Sequence, residues 1–354
     1  MKPEPGADFA DLADAHRAEL HAHCYRMLGS VHDADDADDA VQETLIRAWR
    51  GIAGLREGTS GRSWLYAIAT NVCLTEIARR KRRVLPHDWS PAAEPHTPPG
   101  APVTESIWLE PYPDDVGPGR ASPEASYEVA EAVELAFVAA LQHLPANQRA
   151  VLILREVLGF SAQESATMLE ASVASVNSAL QRARATVAAR VPERSQQATL
   201  RALGDHALRE LVDRYVDAWE RCDVNAFTSL LVEDATFAMP PLATWYTPRE
   251  NIALWARGSA MSGAWRWRTV RTRANEQPAL AFYSWDDATG GYLPFALNVL
   301  TLRGDRVSDV TAFIVRATDA PEPEAYLNFP QQPMDAGRLA GTFERFGLPE
   351  RLTP

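Results

Sequence analysis

The sequence predicts a multidomain protein: two all-α domains, the second built around a helix-turn-helix, followed by an α+β domain. Three observations predict it. Apolar residues recur at helical spacing over residues 9–84 and again over 126–190. A proline-loaded stretch without periodicity separates those two blocks. Beyond residue 205 two helical segments give way to strand-like alternation. The chain has 354 residues, 46% of them hydrophobic, enough for two or three domains that each bury a core.

The N-terminus lacks a basic start followed by an apolar run, so it does not read as a signal peptide. No run of about 18 apolar residues occurs, which predicts no membrane span and a cytoplasmic protein. Cys24, Cys73 and Cys222 lie far apart, with no Cys/His ligand spacing, so neither a disulfide framework nor a metal site is expected.

The first domain, residues 9–85, reads as helices. Leu20, Cys24, Met27 and Leu28 share one face, as do Val41, Leu45, Ala48 and Trp49, and then Leu65, Ile68, Ala69, Val72 and Ile77. A glycine-rich break at 51–62 divides the last two. Asp33, Asp36 and Asp39 recur in HDADDADDA (residues 32–40) and suit a helix start, where carboxylates meet the positive end of the dipole. A calcium loop would need Gly at the sixth position and Glu at the twelfth; Asp38 and Thr44 stand there. Net charge is −12, against a generic nucleic-acid binder. Yet Arg79, Arg80, Lys81, Arg82 and Arg83 form an unbroken basic run, and Arg182, Arg184 and Arg190 cluster further on. Local basic patches in an acidic body suit DNA binding assisted by a large partner.

Residues 86–125 read as a Pro-rich linker. WLEPYPD (residues 108–114) interrupts it with apolar anchors, the mark of a docking segment. Residues 126–190 form the second helical domain. In it Ser161 and Glu164 make a capping box, residues 170–172 a turn, and Ser172 can cap a second helix. Val173, Val176, Leu180 and Ala183 bury one face of that helix. The open face carries Ser172, Ala174, Ser175, Asn177, Ser178, Gln181, Arg182 and Arg184, which suits a major groove. An ordinary helical hairpin is the plainer alternative. In the first domain Trp64, Tyr66 and Asn71 precede the basic run, a combination able to hold unstacked bases and neutralise phosphates.

Residues 191–204 read as a polar connector. The third domain, 205–325, opens with helices at 207–219 and 224–231. Strands follow at 235–240, 265–273, 279–285, 293–302 and 307–316, expected to form a curved antiparallel sheet. Residues 326–354 form a tail.

DAVQETLIRAW (residues 39–49), RSWLYAIATNVCLTEIARRKRR (62–83) and LQHLPANQRAVLILREVLGFSAQESATML (141–169) occur in this order around a Pro-rich linker. Together they closely resemble extracytoplasmic-function sigma factors of the sigma-70 family, over residues 10–190. The resemblance implies two all-α sigma domains, σ2 and a helix-turn-helix σ4, and a role in transcription initiation. It implies that Asp39, Gln42, Glu43, Leu45, Arg47 and Trp49 bind RNA polymerase core through the β′ clamp, with the β subunit a further partner. It also implies that Trp64, Tyr66, Asn71 and the basic run open promoter DNA. Residues 172–184 would then read the minus-thirty-five element. Two departures stand out: the acidic repeat looks like a three-residue insertion, and VNSALQRAR carries fewer cations than in many relatives.

The last 150 residues resemble the SnoaL-like branch of the NTF2-like fold, a cone of helices against a curved sheet, through residues 215–241, Trp245, Tyr246 and the closing strands. Sigma factors with such an extension form a subgroup called sigma-J-like or sigma-G-like, in which it is thought to regulate the sigma core; WLEPYPD and FGLP (346–349) resemble the sigma-G-like members. Trp219, Trp245, Tyr246, Trp255, Phe282, Phe295 and Asp309 are candidates to line a pocket for a small apolar ligand; plain core packing is the alternative for each aromatic. From residue 207 onward there is no histidine, and Asp309 is the one strand carboxylate able to face inward, a weak basis for catalysis. No cofactor is expected. The competing readings are a DNA-binding module fused to a SnoaL-like cyclase or isomerase, and a stand-alone helix-turn-helix regulator. The latter has no use for VQETLIRAW beside a basic melting helix.

Overall fold

The computed structural model describes residues 5–31, 37–54, 60–97, 99–103, 105, 107–114, 132–315 and 343–354. Asp33 and Asp36 of the acidic repeat lie outside them. The chain divides into two compact units, one of Met1–Arg83 with Asp115–Glu193, the other of Val84–Asp114 with Arg194–Pro354.

The first unit begins with three packed helices: α1 (Pro5–Leu28), α2 (Ala37–Gly51) and α3 (Gly61–Arg79). Leu20, Cys24, Met27, Leu65, Ala69 and Cys73 are fully buried between them. Gly61 permits the close approach of α3 to α1, since a Cβ there would stand 2.9 Å from Leu12 Cδ1. Asp38 and Asp39 occupy the first turn of α2, as the dipole favours.

The same unit continues with α4 (Leu135–Gln142) and α5 (Ala146–Leu152), which runs into a π-helical turn over Ile153–Val157. Then come α6 (Ala162–Met168) and α7 (Val173–Ala188). Arg149 on α5 is almost fully buried and donates to Gln142 Oε1 at 2.7 Å and to the Gln142 carbonyl at 3.1 Å. It also reaches the Met27 carbonyl of α1. Gln142 Nε2 donates to the Arg26 carbonyl at 3.2 Å, and Arg26 Nε to the Ala132 carbonyl at 3.0 Å. Side-chain to backbone bonds therefore join the two helical groups.

The second unit is the α+β domain. Helix α8 (Gln196–Leu203) lies where the sequence reads as a polar connector: Ser195 caps it, and Gln196 pairs with the Leu302 backbone through both amide atoms at 2.9 and 2.7 Å. Next are α9 (Asp205–Glu220) and α10 (Val224–Ser229). Six strands follow in spatial order β2-β1-β6-β5-β4-β3. They are β1 (Leu231–Ala238), β2 (Trp245–Tyr246), β3 (Trp267–Ala274), β4 (Gln277–Asp286), β5 (Gly291–Arg303) and β6 (Arg306–Ile314), with α11 (Arg249–Gly258) between β2 and β3. The sheet is mixed rather than antiparallel throughout, because β1 runs parallel to β6. Two-residue turns at Asn275–Glu276 and Gly304–Asp305 close the hairpins; Asn275, Glu276 and Gly304 all take positive φ, as such turns require. Tyr215, Trp219, Phe227, Phe237, Trp255 and Phe282 pack between helices and sheet.

The expected tether over 86–125 needs correcting. Residues 84–114 are built into the second unit. Val84 donates to Ile107 O at 2.8 Å and Leu109 to Val84 O at 3.0 Å, so the segment folds back on itself. It then docks. Ala93 N donates to Trp245 O, Val103 N to Pro241 O, and Tyr112 exchanges two bonds with Asn275, one to the side chain at 2.9 Å and one from the backbone N–H at 2.8 Å. Asp114 accepts from the Glu276 N–H at 2.7 Å and from Arg273 Nε at 3.0 Å. Burial, with Glu276 beside it, still pushes its carboxyl up to about 6. The apolar anchors of WLEPYPD cause the docking: Trp108, Leu109 and Tyr112 are buried. Residues 115–125 lie outside the described residues.

Candidate functional site

On α2 the face of Ala37, Ala40, Val41, Thr44 and Ala48 is buried, which turns Gln42, Ile46 and Trp49 outward. Trp49 is 53% exposed and Ile46 38%, large apolar groups that water alone would not favour. They belong to a groove of about 1010 Å³ between α1 and α2, floored by Val41 and Leu45 and rimmed by Asp14, Arg17, Asp38 and Arg50. Phe9 supports the Trp49 ring edge-on at 5.3 Å. Of the residues singled out in sequence, Gln42, Leu45 and Trp49 line the groove. Asp39, Glu43 and Arg47 lie on the same helix beside it, the last two paired at 2.6 Å. The α1 wall and Ile46 were missed, because the period of α1 does not reveal which face α2 leaves open.

On α3, Trp64 is half-buried against Gly51, Asn71 is exposed, and Tyr66 is fully buried. Phe160, just before α6, packs edge-on to the Tyr66 ring at 5.4 Å. The Arg62 guanidinium lies over both rings, 5.1 Å from Tyr66 and 4.7 Å from Phe160, and donates to the Leu158 carbonyl at 3.3 Å. The Tyr66 hydroxyl donates to Glu19 at 3.2 Å; burial first, then that carboxylate, raise its pKa. The basic run is divided. Arg79, Lys81 and Arg82 are exposed, Arg80 is half-buried and Arg83 is buried. The last four line a cavity of about 240 Å³ with His143 and Arg149. Burial, then Arg80, pushes Arg149 down to about 10.

The helix-turn-helix forms as the caps dictate. Ser161 and Glu164 close a reciprocal capping box at 3.1 and 2.8 Å. Glu170 takes φ +50° in the turn, and Ser172 Oγ accepts the Ser175 N–H at 3.1 Å. Val176, Ala179, Leu180, Ala183 and Val187 bury one face of α7. Ser172, Ser175, Asn177, Ser178, Gln181, Arg182 and Arg184 are all exposed on the other. Arg184 is engaged with Glu156 of the π-helical turn, its Nε donating at 2.9 Å.

In the second unit, Trp219, Tyr246, Trp255 and Phe282 meet in the interior and Phe295 packs at its edge. Two of the pocket candidates are corrected. Trp245 turns to the docked segment and donates to the Ser90 carbonyl at 2.8 Å. Asp309 points to the opposite face of the sheet from its strand neighbours Val310 and Ala312, and is held by Thr236 and Ser308, each at 2.7 Å. Among the described residues no group of His, Cys, Asp and Glu could hold a metal ion, and no helix is long and apolar enough to cross a membrane.

Residues 12–83 match the family Sigma-70 region 2, residues 134–187 match Sigma-70, region 4, and residues 212–310 match the SnoaL-like domain. The ECF RNA polymerase sigma factor SigG of Mycobacterium tuberculosis is 41% identical over 315 residues, 88% of this chain and 82% of that one. The ECF sigma factor SigM of the same species is 31% identical over 180 residues, 51% of this chain and 75% of the relative. The crystal structure of Mycobacterium tuberculosis SigJ shares the fold, with a TM-score of 0.54 at 20% identity over 92% of this chain and 99% of that chain.

Proposed function

The chain belongs to the extracytoplasmic-function RNA polymerase sigma factors, and from that premise we propose how its parts divide the work. The α1–α2 groove takes the core enzyme, at the β′ clamp, through Trp49, Ile46 and Leu45. The exposed face of α7 reads promoter DNA, with contacts from Ser175, Asn177, Ser178, Gln181 and Arg182. The domain of residues 205–315 regulates rather than catalyses, and the factor acts in the cytoplasm, where its polymerase is.

One observation carries the regulatory reading. The segment that links the two sigma domains in sequence, residues 84–114, is folded into the C-terminal unit and not free. Whatever loosens that unit lengthens the tether between the polymerase-binding and promoter-reading parts. A second point supports a non-catalytic domain: the carboxylate of Asp309 faces away from the interior.

Run-off transcription with purified core enzyme tests this. Asn275→Gly keeps the left-handed turn and its backbone bond to Tyr112 but removes the Oδ1 acceptor. The variant is expected to change transcript yield at least severalfold with core binding unchanged. Identical yield would remove the regulatory role.

A further inference from the structure

The reading helix α7 is poor in cations. Its 16 residues carry two, Arg182 and Arg184. Helical spacing puts them on different flanks of the exposed face. Asn177, Gln181 and Arg184 stand at i, i+4 and i+7 and share one row, whereas Ser175, Ser178 and Arg182 form the other. Arg182 is exposed. Arg184 is engaged from the side. Its Nε donates to Glu156 Oε1 at 2.9 Å, and its Nη2 donates to the same oxygen. Hydrogen bonding first, and the charge of Glu156 second, hold the guanidinium above its usual range.

The carboxylate comes from 28 residues away in sequence, and a local feature of the backbone presents it. Glu156 sits in the π-helical turn over Ile153–Val157. Ile153 and Leu154 of that turn are buried, and Arg155 turns back to the Phe160 carbonyl, which leaves Glu156 as the charged group of the turn that meets α7. Single π-helical turns are rare and recur at functional sites. As a source of stability the pair is weak, because both side chains are open to water, where an ion pair contributes little. At a DNA face it acts differently. The carboxylate repels phosphates, and by holding an arginine it also removes the attraction that arginine would supply.

We propose that Glu156 is a specificity-determining residue for promoter reading: it holds Arg184 off the DNA backbone and so strips α7 of sequence-independent attraction. This rests on α7 being the helix that reads the promoter. Phosphate contacts hold every sequence alike, and contacts to base edges tell one site from another. With Arg184 engaged, Arg182 is the cation of α7 left for a phosphate. The rest of the exposed face is short neutral donors and acceptors, Ser175, Asn177, Ser178 and Gln181. A wrong sequence then gains little from the backbone, while the right one keeps its base contacts. The net charge of −12 works in the same direction.

Fluorescence anisotropy of the full-length chain on a short labelled duplex of mixed sequence, taken over a salt series, tests this. Each phosphate neutralised multiplies affinity by the molar salt concentration raised to about −0.9. Glu156→Gln is therefore expected to tighten binding about 15-fold at about 50 mM salt and about fourfold at about 200 mM, steepening the log–log slope by about 0.9. Adding Arg184→Gln is expected to remove that gain, and Arg184→Gln alone to leave the wild-type slope in place. A merely structural ion pair would shift the urea midpoint and not the slope. No gain in Glu156→Gln, or a slope that Arg184→Gln alone flattens, would overturn the proposal. Arg182→Gln tells the two readings apart, since it is expected to flatten the slope by about 0.9 wherever α7 meets DNA. A flattened slope there with no gain in Glu156→Gln overturns the role of Glu156 alone; an unchanged slope in Arg182→Gln takes α7 off the DNA and overturns both.

Discussion

His23 shows how one side chain fixes a state of the whole helical core. Thr70 Oγ1 donates to the Tyr66 carbonyl at 2.7 Å, so toward His23 it acts as the acceptor, and His23 Nε2 at 3.0 Å must carry the proton. Nδ1 then stays bare and buried without a partner. Burial first, and Arg26 second, push this imidazole down to about 3 from an ordinary value of 6.5. Since the folded value lies below the unfolded one, the stability it contributes is complete above pH 6.5 and is lost as pH falls from 6.5 toward 3. Each pH unit in that window removes about 1.4 kcal/mol from the first unit. Urea unfolding of that unit at pH 7.5 and pH 5.5 should show the drop, and His23→Gln, which keeps a donor toward Thr70, should flatten it. Equal slopes in both proteins would show that His23 is not the titrating group. Asp309 carries the opposite lesson about single residues. Its strand was readable, but which face it took depends on the register with Thr236 and Thr301, and register is a property of pairing.

At the scale of elements, local chemistry was the most legible. The capping box at Ser161, the cap at Ser172 and the period of α7 are written in adjacent residues, so the helix-turn-helix appears where the spacing puts it. Helix α8 was less legible. Its buried face is Gln196, Gln197 and Thr199, polar residues whose burial is offset by hydrogen bonds to the backbone of Leu302 on β5, of Glu276 in the β3–β4 turn and of Ser195 at the helix cap, and a polar pattern reads as a connector. Ser172 serves two purposes that a pair of substitutions separates: it caps α7, and it lies on the face expected to meet DNA. Ser172→Ala is expected to cost about 1 kcal/mol of stability through the lost cap. Ser172→Asp keeps the cap and places an anion where phosphates approach, so its urea midpoint stays near wild type while promoter affinity falls severalfold. If Ser172→Asp binds promoter DNA as well as the wild type does, α7 does not lie in the groove with its N-terminus toward the bases.

The arrangement of the whole chain was the least legible part, because it rests on contacts between residues far apart in sequence. Proline content and absent periodicity mark 86–125 as a linker in the sequence, with WLEPYPD as its docking segment; among the described residues the stretch holds one short helix, Pro86–Trp89. What it docks on required Asn275, Arg273 and Pro241, none of which any local pattern connects to it. As a result the chain crosses from one unit to the other after Arg83, after Asp114 and after Glu193. The two helical sigma domains are thus joined by a segment whose structure depends on residues that come later. Ile107, Trp108, Leu109 and Tyr112 are 1–7% exposed in the intact protein. A chain ending at Glu193 lacks the sheet that covers them and should expose them. Brief chymotrypsin digestion followed by mass spectrometry reads this directly. The full-length protein is expected to resist cleavage after Trp108 and Leu109, and the shortened one to be cut there at least tenfold faster, since unfolded segments are the ones proteases take. Equal cleavage rates at those two sites would mean that the segment is mobile even with the C-terminal domain present, and the domain could then not set the length of the tether.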